Sequence, residues 1–312
     1  MDTLHLVDPE MRDIVAQFPP LAPTRESLPA LRKAVVGLYP PADTPFEERH
    51  IPGPEGAPEV RVLVHRPPVD GHAPPAILYL HGGGFIAGTP DMMAADNAKL
   101  AREQGAVVVA VQYRLAPETV FPGPVEDCYA ALRWMEAEAD ALGIDPTRIV
   151  IFGQSAGGGL AAATALLARD RGGPALKAQF LLYPMLDERT GTPEAPIDNP
   201  VTGAFGWTRE SNRFGWSALR GEAVPSSESL PYFSPAEADD LSGLPPTFVA
   251  VGSLDLFLEE SLAYAQRLSR VGVPIEAHVY PGAIHGFDMF AGANADSFRV
   301  AFGAALARAL AC

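Results

Sequence analysis

Cysteine is nearly absent: Cys128 and Cys312 are the two in 312 residues. Two cysteines build no disulfide framework, and such usage fits a reducing compartment, so a cytoplasmic protein is expected. Positive charge is scarce too, with 23 lysines and arginines against 38 acids and a formal net charge of −15. A surface field of that sign repels phosphate backbones and anionic headgroups, which argues against nucleic acid as a partner. No apolar run reaches the roughly 20 residues that span a bilayer, because charges or prolines break every candidate, so no membrane insertion is expected. The stretch from Met1 to Glu10 carries acids where a signal peptide has basic residues and then an apolar run, so export by that route is not expected. There is no internal repeat and no low-complexity tract. What remains is an apolar fraction of 47%, that of a folded globular chain.

The texture changes along the chain. Residues 1 to 45 mix short amphipathic stretches with breakers, among them Pro19, Pro20, Pro23, Pro29, Pro40 and Pro41, and read as an appended helical arm. From Arg61 onward, strand-like runs alternate with helical ones. Runs at 60–64, 76–80 and 106–111 are largely apolar with β-branched residues, further strands are expected at 149–152, 178–183, 247–252 and 275–280, and helical patterns lie at 91–104 and 124–142. Continuous apolar runs mean strands covered on both faces, and the alternation predicts an α/β fold around a mostly parallel sheet with crossover helices. Between Asp187 and Leu230 the chain is rich in Gly, Pro, Ser and Thr yet carries Phe205, Trp207, Phe214 and Trp216. An insertion of that size after a strand is a candidate lid over a substrate cleft, or equally a packed helix pair whose aromatics are core.

The chemistry-bearing residues sit at strand ends. Gly153-Gln154-Ser155-Ala156-Gly157 follows the strand Ile149–Phe152 and precedes the small-residue stretch Ala156–Ala163. With 29 glycines in the chain, a Gly-x-Ser-x-Gly match carries little alone. A strand before and a helix after are what a nucleophile elbow needs, although a glycine-rich turn of this kind could also cradle a phosphate. A serine hydroxyl needs a base to take its proton, and the base needs a carboxylate to orient it. Asp255 follows strand 247–252 and His285 follows strand 275–280. Parallel strands release such loops on one edge, so the three can converge. Taken singly, Asp255 could be a helix N-cap and His285 a loop histidine. Glu259 and Glu260 are alternative carboxylates, ranked below Asp255 because they lie farther from the strand end. His278 lies within a strand and reads as structural.

A second signal, His81-Gly82-Gly83-Gly84-Phe85, follows strand 76–80. Glycine backbone can approach a reacting carbonyl closely, and N–H groups aimed at a developing oxyanion lower the barrier by about 3 kcal/mol each. Gly83, Gly84 and Ala156 are the expected oxyanion donors, with His81 bracing the loop.

Four ordered motifs then resemble the hormone-sensitive-lipase-like family of bacterial carboxylesterases, bacterial family IV, across residues 45 to 310: His81–Phe85, Tyr113–Glu118, the elbow at Ser155, and Gly282–Phe287. The resemblance implies an α/β-hydrolase core from residues 46–186 and 231–312, capped by the 1–45 arm and the 187–230 insertion. It implies a serine carboxylesterase acting on short-to-medium acyl esters through an acyl-enzyme on Ser155, with no metal or organic cofactor. Arg114 and Glu118 are implied to anchor a loop beside the site, and Phe85, Phe205, Trp207, Phe214 and Trp216 to contact substrate. Relatives are often monomers or homodimers joined through the last strand and terminal helix, and residues 294–311 do show a helical pattern with Phe298, Val300, Phe302 and Leu306. Gln154 departs from the family, many of whose members have an acid there, as does Asp255-Leu256-Phe257-Leu258-Glu259, which replaces a version with proline and arginine. An amidase, carbamate or lactone hydrolase could use the same triad. A non-catalytic binder on this fold is a further reading, against which His285 argues.

Overall fold

The computed structural model describes residues 3–17, 22–39, 44–68 and 73–311; Cys312, His72 and the proline pairs at 19–20 and 40–41 lie outside the described residues. One eight-stranded sheet runs through it, formed by β1 (Glu47–Ile51), β2 (Val60–His65), β3 (Ala76–Leu80), β4 (Val107–Gln112), β5 (Ile149–Gln154), β6 (Ala178–Leu182), β7 (Thr247–Gly252) and β8 (Ile275–Tyr280). Their order is β1-β2-β4-β3-β5-β6-β7-β8. Pairings from β4 to β8 are parallel, and β2 lies antiparallel to both β1 and β4. Every run expected as a strand is one. β1 was not foreseen, because Glu47-Glu48-Arg49-His50 shows no apolar alternation; it is a largely exposed edge strand held by β2, its burial confined to Ile51.

Helices cover both faces, as strands buried on two sides require. They are α1 (Pro9–Val15), α2 (Leu28–Gly37), α3 (Ala94–Gln104), α4 (Gly123–Ala137), α5 (Ala139–Leu142), α6 (Ala156–Asp170), α7 (Arg209–Arg220), α8 (Leu230–Phe233), α9 (Leu258–Arg270) and α10 (Ala293–Leu310). The period-2 alternation of β3 sorts its side chains between two cores. Ala76, Leu78 and Leu80 pack with Leu132 and Met135 of α4, Leu160 and Leu166 of α6 and Leu268 of α9. Ile77 and Tyr79 join Ala101 of α3 and Phe298, Phe302 and Leu306 of α10. Val300, on the same helix, is instead 74% exposed. The helical pattern at 124–142 breaks after Ala137 and resumes as the one-turn α5.

The N-terminal arm is pinned to the loops at the carboxyl edge of the sheet. Before α1, the Asp8 N–H donates to Gly282 O (3.0 Å), while the Glu10 carboxylate accepts from Ala293 N at 2.8 Å. These contacts bracket the His285 loop. From α2, Arg32 donates to Ile86 O, to Ala116 O and to both oxygens of Glu118 at 2.7 to 2.9 Å. One guanidinium therefore holds two site loops together.

A buried histidine is expected to make the fold acid-sensitive. His65, at the end of β2, is 1% exposed, and neither ring nitrogen has a hydrogen-bond partner among the described residues. Burial pushes its pKa down to about 4 from 6.5. The unfolded chain therefore binds this proton more readily, so stability is complete above about pH 6.5 and is lost as pH falls toward 4. The linked loss is about 3 kcal/mol. In His65→Leu, the drop in urea midpoint between neutral pH and pH ~4.5 should shrink relative to wild type; an identical drop contradicts the assignment.

Candidate active site

β5 ends at Gln154 and delivers Ser155 to a sharp turn before α6. Ser155 has φ 54° and ψ −121°, a backbone region that costs a non-glycine residue about 1–3 kcal/mol. Three hydrogen bonds fix it there: its N–H donates to Leu182 O (2.9 Å), and its carbonyl accepts from Gly159 N and Met185 N at 3.0 Å each. The glycines on either side are sterically required. A Cβ on Gly157 would stand 2.1 Å from Leu80 O, and one on Gly153 would stand 2.0 Å from Gly157 O. α6 can thus approach β3 closely enough for its N-terminus to face the His81 loop.

The three side chains at separate strand ends meet here. His285 Nε2 lies 2.9 Å from Ser155 Oγ, and His285 Nδ1 lies 2.8 Å from Asp255 Oδ2. A carboxylate only accepts, so Nδ1 carries the hydrogen and Nε2 is left as the acceptor for the serine hydroxyl. Asp255 is fully buried, its other oxygen accepting from Phe257 N at 2.9 Å. It is not the N-cap of α9, which is Phe257; that bond closes the turn before the helix, so one oxygen serves the backbone and the other the imidazole. The alternative carboxylates point elsewhere. Glu259 accepts from Asn199 Nδ2. Glu260 is buried and accepts from Leu186 N and Thr190 Oγ1, its carboxyl held well above the usual range by burial.

Facing the serine is the loop after β3. Gly83 has φ 127° and Gly84 φ 61°, and the Gly83 carbonyl turns away to accept from Ile86 N and Ala87 N. Among the described residues, the N–H groups of Gly83, Gly84 and Ala156 donate to no protein acceptor. His81 sits beneath this loop, 1% exposed, donating from Nδ1 to Gly82 O and stacked 4.2 Å from the ring of Tyr113. Burial pushes its pKa down to about 4, so the ring is neutral near pH 7 and serves as a brace. Tyr113 also donates to His81 O at 2.7 Å. Arg114 pairs with buried Asp127 of α4, and Glu118 with Arg32, so this stretch is anchored from two sides.

The aromatic candidates divide between two settings. Trp207 crosses directly over the loop, since a Cβ on Gly84 would strike its ring at 2.2 Å; its indole N–H donates to Asn212 Oδ1. The adjacent Gly206 abuts the backbone of His285. Phe85 and Trp216 pack edge to face, 5.1 Å between centroids, and are 2% and 3% exposed, which places them inside the junction between α7 and the core. Phe205 and Phe214 are half-buried, packed against opposite cores.

The sequence singled out Gln154 but not the group it joins beside the triad. Tyr79 Oη donates to Gln154 Oε1, Gln154 Nε2 donates to Asp288 Oδ2, and Tyr183 Oη donates to Asp288 Oδ1. The Tyr183 ring lies 4.5 Å from the His285 ring. Asp288 stands three residues past His285 and could have been noticed as a nearby acid, whereas Tyr183 depends on an unusual φ of 35° that no spacing reveals.

Comparison with known proteins agrees with this architecture. The family model described as alpha/beta hydrolase fold matches residues 77–289. The carboxylesterase NlhH of Mycobacterium tuberculosis is 36% identical over 300 residues, covering 91% of this chain and 90% of the relative. An ethyl acetate hydrolase of Pseudomonas putida is 34% identical over 229 residues, covering 72% of this chain and 70% of that protein. The structure of a bacterial heroin esterase superposes with a TM-score of 0.89 at 37% identity, covering 99% of this chain and 100% of that one. Among the described residues no helix is long and apolar enough to cross a membrane. With sheet order, elbow and relatives in agreement, the chain belongs to the α/β-hydrolase family, in its hormone-sensitive-lipase-like branch of esterases.

Proposed function

We propose that the protein is a serine carboxylesterase. The observation that carries this reading is the unbroken chain from Ser155 through His285 to Asp255, at 2.9 and 2.8 Å, beside three backbone N–H groups that have no acceptor among the described residues. Ser155 Oγ attacks the ester carbonyl while His285 Nε2 takes its proton. The tetrahedral oxyanion is held by the N–H groups of Gly83, Gly84 and Ala156, and its collapse expels the alcohol, which receives the proton from His285. Water, deprotonated by the same imidazole, then hydrolyses the acyl-enzyme and frees Ser155. Asp255 keeps the imidazole oriented and balances its transient charge.

The division into core and cap belongs to this reading. Residues 46–186 and 231–312 form the core, and the 1–45 arm with the 187–230 insertion forms the cap. Support comes from the arm's pins at Gly282, Ala293 and Ile86 and from the passage of Trp207 over Gly84. Trp207, lying across the oxyanion loop, limits the acyl chain; Phe205 and Phe214 flank the entrance, while Phe85 and Trp216 support the wall from behind. The names of the relatives, carboxylesterase and ethyl acetate hydrolase among them, favour small esters. A cytoplasmic location suits the buried free thiol of Cys128. A monomer or homodimer is the expected assembly, to be read by sedimentation.

The test is a series of p-nitrophenyl esters of rising chain length beside the matching anilides. Butyrate should be turned over well, the anilide at least 100-fold more slowly, and the decanoate more slowly than the butyrate. Trp207→Ala should raise the decanoate-to-butyrate ratio of kcat/KM by about tenfold. Anilide turnover matching the ester, or a flat chain-length profile unaffected by Trp207→Ala, contradicts the reading.

A further inference from the structure

The mechanism just given leaves a carboxylate next to the base unused. Asp288 lies on the short turn Phe287–Met289 that follows His285. Its oxygens accept from Tyr183 Oη at 2.6 Å and from Gln154 Nε2 at 3.2 Å, and Gln154 Oε1 accepts from Tyr79 Oη at 2.6 Å. These partners stand on three neighbouring strands: Tyr79 in β3, Gln154 at the end of β5, Tyr183 just past β6. Gln154 is the residue whose peptide leads into Ser155. Tyr183 lies against the imidazole, ring centroids 4.5 Å apart and tilted by 60°, with φ 35°. A bulky side chain holds such a backbone only where its surroundings over-determine it, and the bond to Asp288 is one of those constraints.

The geometry points to Asp288 as a positioning residue that supplies a second negative charge for His285, acting through Tyr183 and Gln154 to hold the imidazole against Ser155 and to favour the imidazolium formed during attack. This inference rests on the serine-esterase reading and deepens it. Several titratable groups act on Asp288 or on its partners. Tyr183, Tyr79 and Tyr39 bring phenols, all held above the usual range by burial and so neutral donors near pH 7. His285 and Arg299 bring positive or potentially positive charge, Arg299 donating to Asp288 O at 2.8 Å from α10. Asp96 of α3 acts from farther off, on the same phenols. Gln154 is neutral, so no second carboxylate competes for the charge, and its amide donates to the one that is there.

Burial holds the Asp288 carboxyl above the usual carboxylate range. As pH falls its charge is therefore lost at a higher pH than that of an exposed aspartate. If the charge assists the imidazole, the benefit must fade on acidification. A packing role has no reason to follow pH.

The experiment measures kcat/KM for p-nitrophenyl butyrate between about pH 5 and 9 in wild type and Asp288→Asn. The variant should be about tenfold slower on the alkaline side, and the wild-type-to-variant ratio should shrink toward one as pH falls. A ratio independent of pH, whatever its size, overturns the inference. Should Asp288→Asn not fold, Tyr183→Phe removes the phenol donor that favours the ionised carboxyl while keeping the ring. Its deficit should narrow as pH rises, and a deficit equal at every pH overturns the inference. Wild type and Ser155→Ala run in the same assay test the esterase reading separately. An inactive wild type sinks both readings, whereas an active wild type with a pH-independent ratio sinks this one alone.

Discussion

Ser155→Ala is expected to lower kcat for short p-nitrophenyl esters by about 10⁵- to 10⁶-fold, leaving KM within a few-fold of wild type. In the proposed mechanism the hydroxyl supplies the attacking atom, and among the described residues the hydrogen-bond partner of His285 Nε2 is Ser155 Oγ, at 2.9 Å. The substitution keeps Cβ and keeps the bonds from Leu182, Gly159 and Met185 that fix the elbow, all of which are to the Ser155 backbone. Loss of rate therefore reports loss of chemistry, with circular dichroism as the check on fold. What survives should be the modest acceleration from the oxyanion donors acting on water. A variant retaining more than about 1% of wild-type kcat contradicts the assigned role of Ser155.

Asp255→Asn should cost about 10⁴-fold in kcat with little change in KM. The asparagine oxygen can still accept from Phe257 N at the Oδ1 position, so the turn into α9 is preserved. At the Oδ2 position, however, an N–H₂ group would face His285 Nδ1 across 2.8 Å. The imidazole can accept that bond only by carrying its hydrogen on Nε2, which then points at Ser155 Oγ as a donor. The base is lost although every atom stays in place. Glu259→Gln, whose carboxylate is engaged by Asn199, should stay within about threefold of wild type. Reversal of these two sensitivities, measured by steady-state kinetics, contradicts the placement of Asp255 as the imidazole's partner.

Much of the fold was legible because the signals are local. Runs such as Val107–Val111 and Ile149–Phe152 are buried on both faces, so composition alone marks them as strands. β1 was illegible because its stability comes from pairing with β2 rather than from any face of its own. The meeting of Ser155, Asp255 and His285 could be inferred because each follows a parallel strand, and topology brings such loops to one edge. The Asp288 group could not, since it depends on a backbone angle at Tyr183 and on side-chain bonds between strands far apart in sequence. The aromatic insertion was half readable: Trp207 lies across Gly84, yet which ring borders the site and which fills the junction with the core depends on packing, as the burial of Trp216 against Phe85 illustrates. Arg32 gave no sign either, because an arginine in the arm reveals its acceptors only after α2 docks.

The proposed mechanism makes Ser155 Oγ the nucleophile of an acyl-transfer site. Treatment with a p-nitrophenyl dialkyl phosphate tests it most directly, since attack at phosphorus expels nitrophenolate and leaves a stable adduct on the attacking oxygen. The expected result is release of one equivalent of nitrophenolate per chain, parallel loss of esterase activity, and a dialkylphosphoryl group on the peptide containing Ser155 by mass spectrometry. Activity lost with the label on another residue, or full activity retained by a chain carrying the label on Ser155, would contradict it.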